Sequence, residues 1–564
     1  MKHLAFLLIF LSTHIFAQIQ NEINIPTLLS GNVIPLNMHM GTRSFFEGPL
    51  SQTYGINQYD YLGPTIELTQ GQMVQMQVMN NLDDTTNLHW HGLQVPAMDD
   101  GPMTMMMMMD TWNPEFEVIN RAGTYWYHPH VHKNTAMQAL KGAVGMIIVR
   151  DNVESTFDLP RTYGVDDFPI IVQSIQYDTL NQVMPRGMND STIFVNGVRG
   201  NYGYEATLHV PANWVRLRVL NGSGERTFNV GLNNNQNFVV IASDNGLLSQ
   251  GVNTNRIRIS PGERYEILVD LTSLNGSELS LWNWGTELPM GVQGGPTMPM
   301  PAGSPDMSSP LNGADFALLR LMVGEPLANG LMTVSNVFEP VSTLDPNAVD
   351  QQRVIVMSAE NQMNMDGPFF FNNLTFDMDR IDYTIPLNST ETWILQNQTM
   401  VAHPFHMHDV AFQVVSRDGN LPTPIERGWK DVVLIHPQET VVIIAKFDVY
   451  SDSLTPYVYH CHILMHEDDG MMGQFVVVDP ATDVTELSSV STVKIFPNPT
   501  SDWMQIQTEE KIEQIQIWSA KGERVLSKKL NPMEPIDVRH LSAGNYVILL
   551  RTQDKTFARR FTKQ

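Results

Sequence analysis

The chain has 564 residues, with 34 Lys and Arg against 59 Asp and Glu, a net charge of −25, and one cysteine, Cys461. At roughly 150 residues per domain, that length accommodates three to four domains, and 42% hydrophobic with 16% charged residues describes a folded chain. The acidic balance argues against a nucleic-acid binder, whose phosphate contacts need clustered Lys and Arg, and one cysteine excludes an intrachain disulfide.

At the N-terminus, Lys2, the apolar run Leu4–Leu11, Ser12–Thr13 and a small residue at Ala17 have the layout of a secretory signal over residues 1–17. The run falls short of the about 20 apolar residues that span a bilayer, so the mature protein is expected to be exported without a transmembrane segment. No cysteine follows the signal, which argues against a lipid-anchored lipoprotein. A lone thiol in an oxidising compartment is either buried and inert or a metal-bound thiolate.

Beyond the signal, short alternating segments punctuated by Gly, Pro and Asn predict strands, among them Met73–Val78, Trp214–Leu220, Tyr265–Val269 and Thr440–Phe447. Such spacing points to an all-β chain of sandwiches or barrels. Pro289–Pro310, rich in Pro, Gly and Met, reads as a loop or linker, and Asp479–Thr492 as a second break. From Ser491 onward there are 12 Lys and Arg against 8 Asp and Glu, net +4, which leaves 22 against 51, net −29, on the body. The basic tail, with strand signals at Met504–Gln507, Ile515–Trp518 and Asn545–Arg551, reads as a separate small β-sandwich.

Ten of the 17 histidines fall in four short clusters: His89 and His91; His128 and His130; His403, His406 and His408; and His460, His462 and His466. On a strand, residues i and i+2 share a face, so each His-x-His pair can aim two imidazoles at one place. Imidazole suits copper, zinc, iron and nickel alike, but Cys461 narrows the choice. Its side chain points away from those of His460 and His462 and can serve a different metal. Cys461, His403, His466 and a weak thioether from Met471 or Met472 make the donor set of a blue-copper site. Eight histidines remain for a multinuclear centre.

These segments, His89-Trp90-His91-Gly92, Trp126–His130, His403–His408 and His460–Met472, resemble the three-domain multicopper oxidases, the family of laccases, bilirubin oxidases and bacterial cuprous oxidases. The likeness is greatest to the cuprous oxidases and runs over roughly residues 30 to 480. It implies three cupredoxin-like Greek-key domains, at 18–155, 156–335 and 336–482, followed by the tail at 491–564. It also implies four copper ions: a type 1 copper on His403, Cys461, His466 and axial Met471, and a type 2 copper on His89 and His406. Two type 3 coppers would take His91, His128 and His462, and His130, His408 and His460. A reductant would deliver single electrons to the blue copper, and four of them would pass through Cys461, His460 and His462 to reduce O₂ to two waters. Asp100 and Glu467 match the family's proton-relay acids. Between about residues 155 and 335 the only histidine is His209, and Phe194–Gly197, Trp214–Arg218 and Pro261–Arg264 resemble the family's copper-free middle domain.

The substrate is less constrained. Met98, Met103 and Met105–Met109 place seven methionines in twelve residues; Met290, Met298, Met300 and Met307 lie in the linker, and Met357, Met363, Met365 and Met378 follow. Soft thioethers suit docking of Cu(I), although methionine also fills cores. The alternatives are Fe(II), as in a ferroxidase, or phenols and aromatic amines, as in a laccase. A copper-sequestering protein is the non-enzymatic reading. The family's methionine-rich insert lies in the third domain, not the first, and Thr399 stands where an acidic substrate-site residue would be expected. His132 reads as a surface or supporting histidine. The tail motifs Lys494–Thr500 and Leu541–Tyr546 resemble the C-terminal sorting domain of type IX secretion, which implies passage through the periplasm, then secretion or surface attachment by that machinery. A carbohydrate- or protein-binding β-module is the other reading of the tail.

Overall fold

The computed structural model describes residues 21–185, 190–200, 206–297, 309–360 and 367–479, and in the tail 494–508, 512, 514–519, 524–529, 535–551 and 556–564. The expected signal at 1–17, most of the break at 479–492, and Met298, Met300, Met307, Met363 and Met365 lie outside the described residues. Strands dominate, as the alternation predicts, and the chain separates into two compact units, Met1–Val477 and Val478–Gln564. No helix among the described residues is long and apolar enough to cross a membrane.

In the first unit three pairs of sheets enclose three cores. One pair joins Val33–Arg43, Ser51–Ile56 and Met73–Asn81 in one sheet and Thr65–Thr69, Gly123–Tyr127 and Gly145–Arg150 in the other. Along Met73–Asn81 the burial alternates, with Val74, Met76 and Val78 inward and Met73, Gln77 and Met79 outward, the period-2 signature of a sheet with one buried face. Ile34, Leu36, Ile66, Tyr125 and Ile147 fill the space between the two sheets. A second pair contains Asp167–Tyr177, Trp214–Asn221 and Arg264–Asp270 on one side and Ala206–Pro211, Glu278–Trp284 and Asp315–Gly324 on the other. Asn21–Glu22 adds an edge to this six-stranded sheet by pairing with Ala206–Thr207.

The third pair holds Gln351–Ala359, Ser389–Asn397 and Thr440–Phe447 against His403–Met407, Val432–Ile435, Asp452–Cys461 and Met472–Val478. Here the register matters most. His403–Met407 runs antiparallel to Asp452–Cys461 with Phe405 opposite Cys461 and His406 opposite His460. Directly opposed residues share a face, so Cys461, Phe405 and His403 point into the core while His406 and His460 point out of it. In the first sheet pair an isolated bridge sets His89 opposite His128. The only two α-helices among the described residues, Thr135–Leu140 and Leu464–Asp468, are one or two turns long and follow directly on histidine clusters.

The tail unit has a three-stranded sheet, Lys494–Phe496, Trp503–Gln507 and Ile536–Asp537, and a four-stranded one, Arg524–Lys529, Gln514–Ser519, Gly544–Arg551 and Thr556–Lys563. Its core gathers Met504, Ile515, Ile517, Ile548 and Leu550.

Buried charge joins the first and second sheet pairs. Arg218 Nε and Nη2 meet Asp167 at 2.7 and 2.9 Å, and Nη1 meets Glu266 at 2.6 Å and Thr124 Oγ1 at 3.0 Å, all fully buried. Removing one partner of such a network strands the others without solvent. Arg218→Met should therefore lower stability by about 3–5 kcal/mol in chemical unfolding of the full chain. An unfolding transition that stays at the wild-type denaturant concentration would contradict this.

Candidate metal centre

The core-facing side chains of the third sheet pair form the smaller of two donor groups. Cys461 Sγ lies 3.5 Å from His403 Nδ1 and 3.5 Å from His466 Nδ1, with Cys461 and His403 fully buried and His466 partly exposed. His466 reaches this place because Leu464–Asp468 turns the chain back over Cys461. Burial pushes the Cys461 thiol far above its ordinary range and depresses the imidazoles of His403 and His466, the latter to about 3. The imidazoles are thus neutral and able to ligate, and a thiolate here requires a cation beside it. Met471 is fully buried in the same core as Cys461, and its carbonyl accepts the Cys461 N–H at 3.1 Å. Met472 instead lines a small cavity with Tyr459, Asp382 and Arg380, so Met471 is the better placed thioether.

The second group collects eight imidazoles from both sides of an interface. His91, His128 and His462 bring one ring nitrogen each within 4.8 Å of one another, as do His130, His408 and His460. His89 and His406 stack on His408 and His91 respectively, each with ring centroids 3.8 Å apart. His89 Nε2 and His406 Nε2 are buried and have no hydrogen-bond partner. Orphaned ring nitrogens among packed imidazoles carry a large cost unless an ion accepts them. Burial, reinforced by neighbouring imidazoles, drives His91, His130, His406, His408 and His462 well below the usual histidine range. The donor set therefore suits an imidazole-binding transition metal.

Behind the rings stand groups that orient them. Asp100 Oδ2 accepts from His408 Nδ1 at 2.7 Å, and its carbonyl accepts from His89 Nδ1 at 3.0 Å. Although Asp100 Oδ1 lies 3.1 Å from His89 Nδ1, that hydrogen is taken by the carbonyl, leaving Oδ1 without a donor. Glu467 is arranged similarly. Its Oε1 accepts from Thr135 Oγ1 at 2.7 Å, and Oε2 sits 3.3 Å from His460 Nδ1 but has no hydrogen-bond donor, since His460 Nδ1 pairs with the Cys461 carbonyl. The twelve predicted ligands and both predicted acids thus lie at these two groups. His132 lies outside them, against Phe376, and His209 is exposed.

Sequence reasoning missed several residues. Asn87 brackets His130, its Oδ1 accepting the His130 N–H at 2.6 Å and its Nδ2 donating to the His130 carbonyl at 3.1 Å. Trp126 packs against His128 with centroids 4.2 Å apart. Thr399 Oγ1 pairs with His403 Nε2 at 2.9 Å, so the residue standing in an expected acid's place supports a predicted ligand. Asp431 contacts His91 and His406, and nothing about its sequence neighbourhood signals this. The methionine run forms an irregular surface segment in which Met105, Met107, Met108 and Met109 are 60–69% exposed and Met106 is buried.

Comparison with known proteins gives a consistent result. Family models described as multicopper oxidase match residues 37–154, 170–277 and 348–481, and one described as a secretion system C-terminal sorting domain matches 494–564. The multicopper oxidase mco of Staphylococcus haemolyticus is 32% identical over 454 residues, 79% of this chain and 88% of that protein. The cell division protein FtsP of Escherichia coli is 30% identical over 467 residues, 81% and 93% of the two chains. Among solved structures, a laccase-like multicopper oxidase, CueO, of Ochrobactrum sp., described as active towards lignin model compounds and lignosulfonate, superposes with a TM-score of 0.70 at 32% identity, over 81% of this chain and all of that one.

Gly262 tests the packing of the imidazole cluster. Its φ is +85°, and a Cβ there would stand 2.9–3.0 Å from the His462 ring. Gly262→Ala should cost about 1–3 kcal/mol through backbone strain and overpacking. It should also lower metal content at the cluster while sparing the Cys461 group, as metal analysis and visible absorbance would report. Wild-type metal content would show that the His462 ring has room to move.

Proposed function

Because the chain belongs to the multicopper oxidase family, we propose that its two donor groups hold four copper ions, one at Cys461 and three in the imidazole cluster. The enzyme is an oxidoreductase, and its sorting domain carries it to the cell surface or the medium. The observation that supports the copper assignment is one cysteine and ten histidines gathered in two buried groups, with the partnerless Nε2 atoms of His89 and His406 facing the second. His403, Cys461, His466 and Met471 would hold the type 1 ion, and His89 and His406 the type 2 ion. His91, His128 and His462, with His130, His408 and His460, would hold the type 3 pair.

Bound copper supplies the one-electron redox chemistry and O₂ reduction that no side chain provides. The residues do the rest. Cys461 serves one group while its chain neighbours His460 and His462 serve the other, so one peptide step joins the site that takes electrons to the site that uses them. His466, the one member of the Cys461 group that is not fully buried as a residue, is the edge of that group nearest a donor in solution. Asp100 and Glu467 each keep one carboxylate oxygen free beside the cluster, and we assign them the holding and moving of protons for water formation. Burial of every cluster histidine excludes bulk water from the reacting volume.

A copper-sequestering protein would need neither a thiolate nor histidines on both sides of it, so the oxidase is the stronger reading. Likeness to a cell division protein does not alter that, because the complete donor set is present in this chain. For the reductant we favour Cu(I), on the strength of four exposed thioethers at Met105 and Met107–Met109. Fe(II) and phenols are the competing donors.

Cys461→Ser should abolish the blue colour and lower turnover with every reductant to background; turnover retained with any one of them would break the proposed electron path. Replacing Met105, Met107, Met108 and Met109 by Ser should slow Cu(I) oxidation several-fold in oxygen-uptake assays and leave Fe(II) and phenol rates unchanged. Equal rates with all three reductants would refute Cu(I) docking at that segment.

A further inference from the structure

Among the described residues, no side chain of the middle segment joins either donor group, yet the segment reaches the imidazole cluster through one carboxylate. Asp431 lies two residues past Trp429, at the start of Val432–Ile435, and is fully buried. Its Oδ1 lies 3.1 Å from His91 Nε2. Its backbone carbonyl accepts from His406 Nδ1 at 2.7 Å. Arg264 grips the same carboxylate with both terminal nitrogens, Nη1 to Oδ1 and Nη2 to Oδ2, each at 2.6 Å, and Asn245 Nδ2 donates to Oδ2 at 2.5 Å. Arg264 is held in turn, its N–H donating to Asp244 Oδ1 at 2.8 Å and its Nη2 to the Asp244 carbonyl at 3.0 Å. Lys430 completes the arrangement between Asp244 and Glu263 at 2.9 and 3.0 Å.

These contacts decide which nitrogen each ring offers. In a neutral imidazole one nitrogen carries the proton and the other is free to ligate. With Nε2–H of His91 directed at Asp431, Nδ1 is the free atom, and Nδ1 is the one facing His128 and His462, at 3.4 and 3.3 Å. His406 has the reverse arrangement: Nδ1–H goes to the Asp431 carbonyl and the partnerless Nε2 faces the cluster. Asp431 thus sets opposite tautomers in two stacked rings that come from different sheet pairs. The backbone makes room for it. Gly92, at φ +86°, could not carry a Cβ without meeting the Asp431 carboxylate and the Arg264 guanidinium.

We propose that Asp431, clamped by Arg264 and Asn245 of the copper-free middle segment, is the positioning residue that fixes the ligating nitrogens of His91 and His406, so that copper loading of the cluster depends on docking of that segment. The proposal rests on the reading that these histidines hold copper. Loss of such a supporting hydrogen bond lowers metal affinity by about 10–100-fold. The test uses the full chain with Asp431→Asn and Asp431→Glu. The second variant keeps the charge opposite Arg264, and so the fold, while moving the carboxylate by one methylene. Both should keep the blue absorbance of the Cys461 site, lose cluster copper about 10–100-fold more readily to a chelator, and show an altered type 2 electron paramagnetic resonance signal. Folded Asp431→Glu protein with wild-type copper retention and a wild-type resonance signal would overturn the proposal alone. Wild-type protein that takes up no copper would overturn the oxidase reading, and the proposal with it.

Discussion

The two donor groups depend on the register of one antiparallel ladder. With Phe405 opposite Cys461 and His406 opposite His460, strand alternation sends the thiol and His403 into a dry core and the imidazoles to the interface. A slip of one residue would exchange the faces, placing the thiol among the imidazoles and a histidine in the core. The hydrophobic pattern prevents the slip, since Phe405, Met407, Tyr457 and Tyr459 all belong to the core that holds Cys461. Packing of ordinary apolar side chains therefore determines which metal each donor can reach.

Burial then does what the ladder cannot. Removing the imidazoles from water keeps them neutral, which ligation requires, and raises the energy of any protonated or unpaired state. The same burial leaves eight rings with little to bond to but one another and a few carboxylate and carbonyl oxygens behind them. Asp100, Glu467 and Asp431 are those oxygens' main sources, and each contacts two histidines. Orientation is thus partly shared: His128 and His460 are aimed by the carbonyl of the next residue, whereas Asp100 and Asp431 each tie two ligands from separate sheet pairs through common acceptors.

Much of this was legible in the sequence, for a definite reason. Ligands in His-x-His pairs announce themselves because strand geometry forces the spacing, and Cys461 between two histidines marks the division of labour. Strand predictions such as Thr440–Phe447 coincide with the observed element, Trp214–Leu220 falls short by one residue at its C-terminal end, and Tyr265–Val269 by one residue at each end. What stayed hidden were residues that act across long sequence distances. Asp431 is 340 positions from His91 and 167 from Arg264, and the link between them exists only once three sheet pairs have met. Pro261–Arg264 was visible as a motif but not as a device, because the roles of Gly262 and Arg264 depend on His462 and Asp431. Thr399 was legible only as a departure; its bond to His403 gives it a positive role.

An exported chain with a single cysteine must hold together without disulfides, and the structure meets that requirement with large cores and buried ion networks. Buried ion pairs add little net stability over well-packed apolar groups, because desolvation offsets their attraction. Their effect is directional: a charge stranded by misdocking is far more unfavourable than a poorly packed apolar side chain. Arg218 with Asp167 and Glu266, and Arg264 and Lys430 with Asp431, Asp244 and Glu263, therefore reject wrong arrangements of the sheet pairs more than they strengthen the right one. A metal centre built from ligands on both sides of an interface needs that selectivity. Imidazoles that must converge within a few ångströms tolerate little sliding, and directional ionic interactions resist sliding where a greasy interface would not.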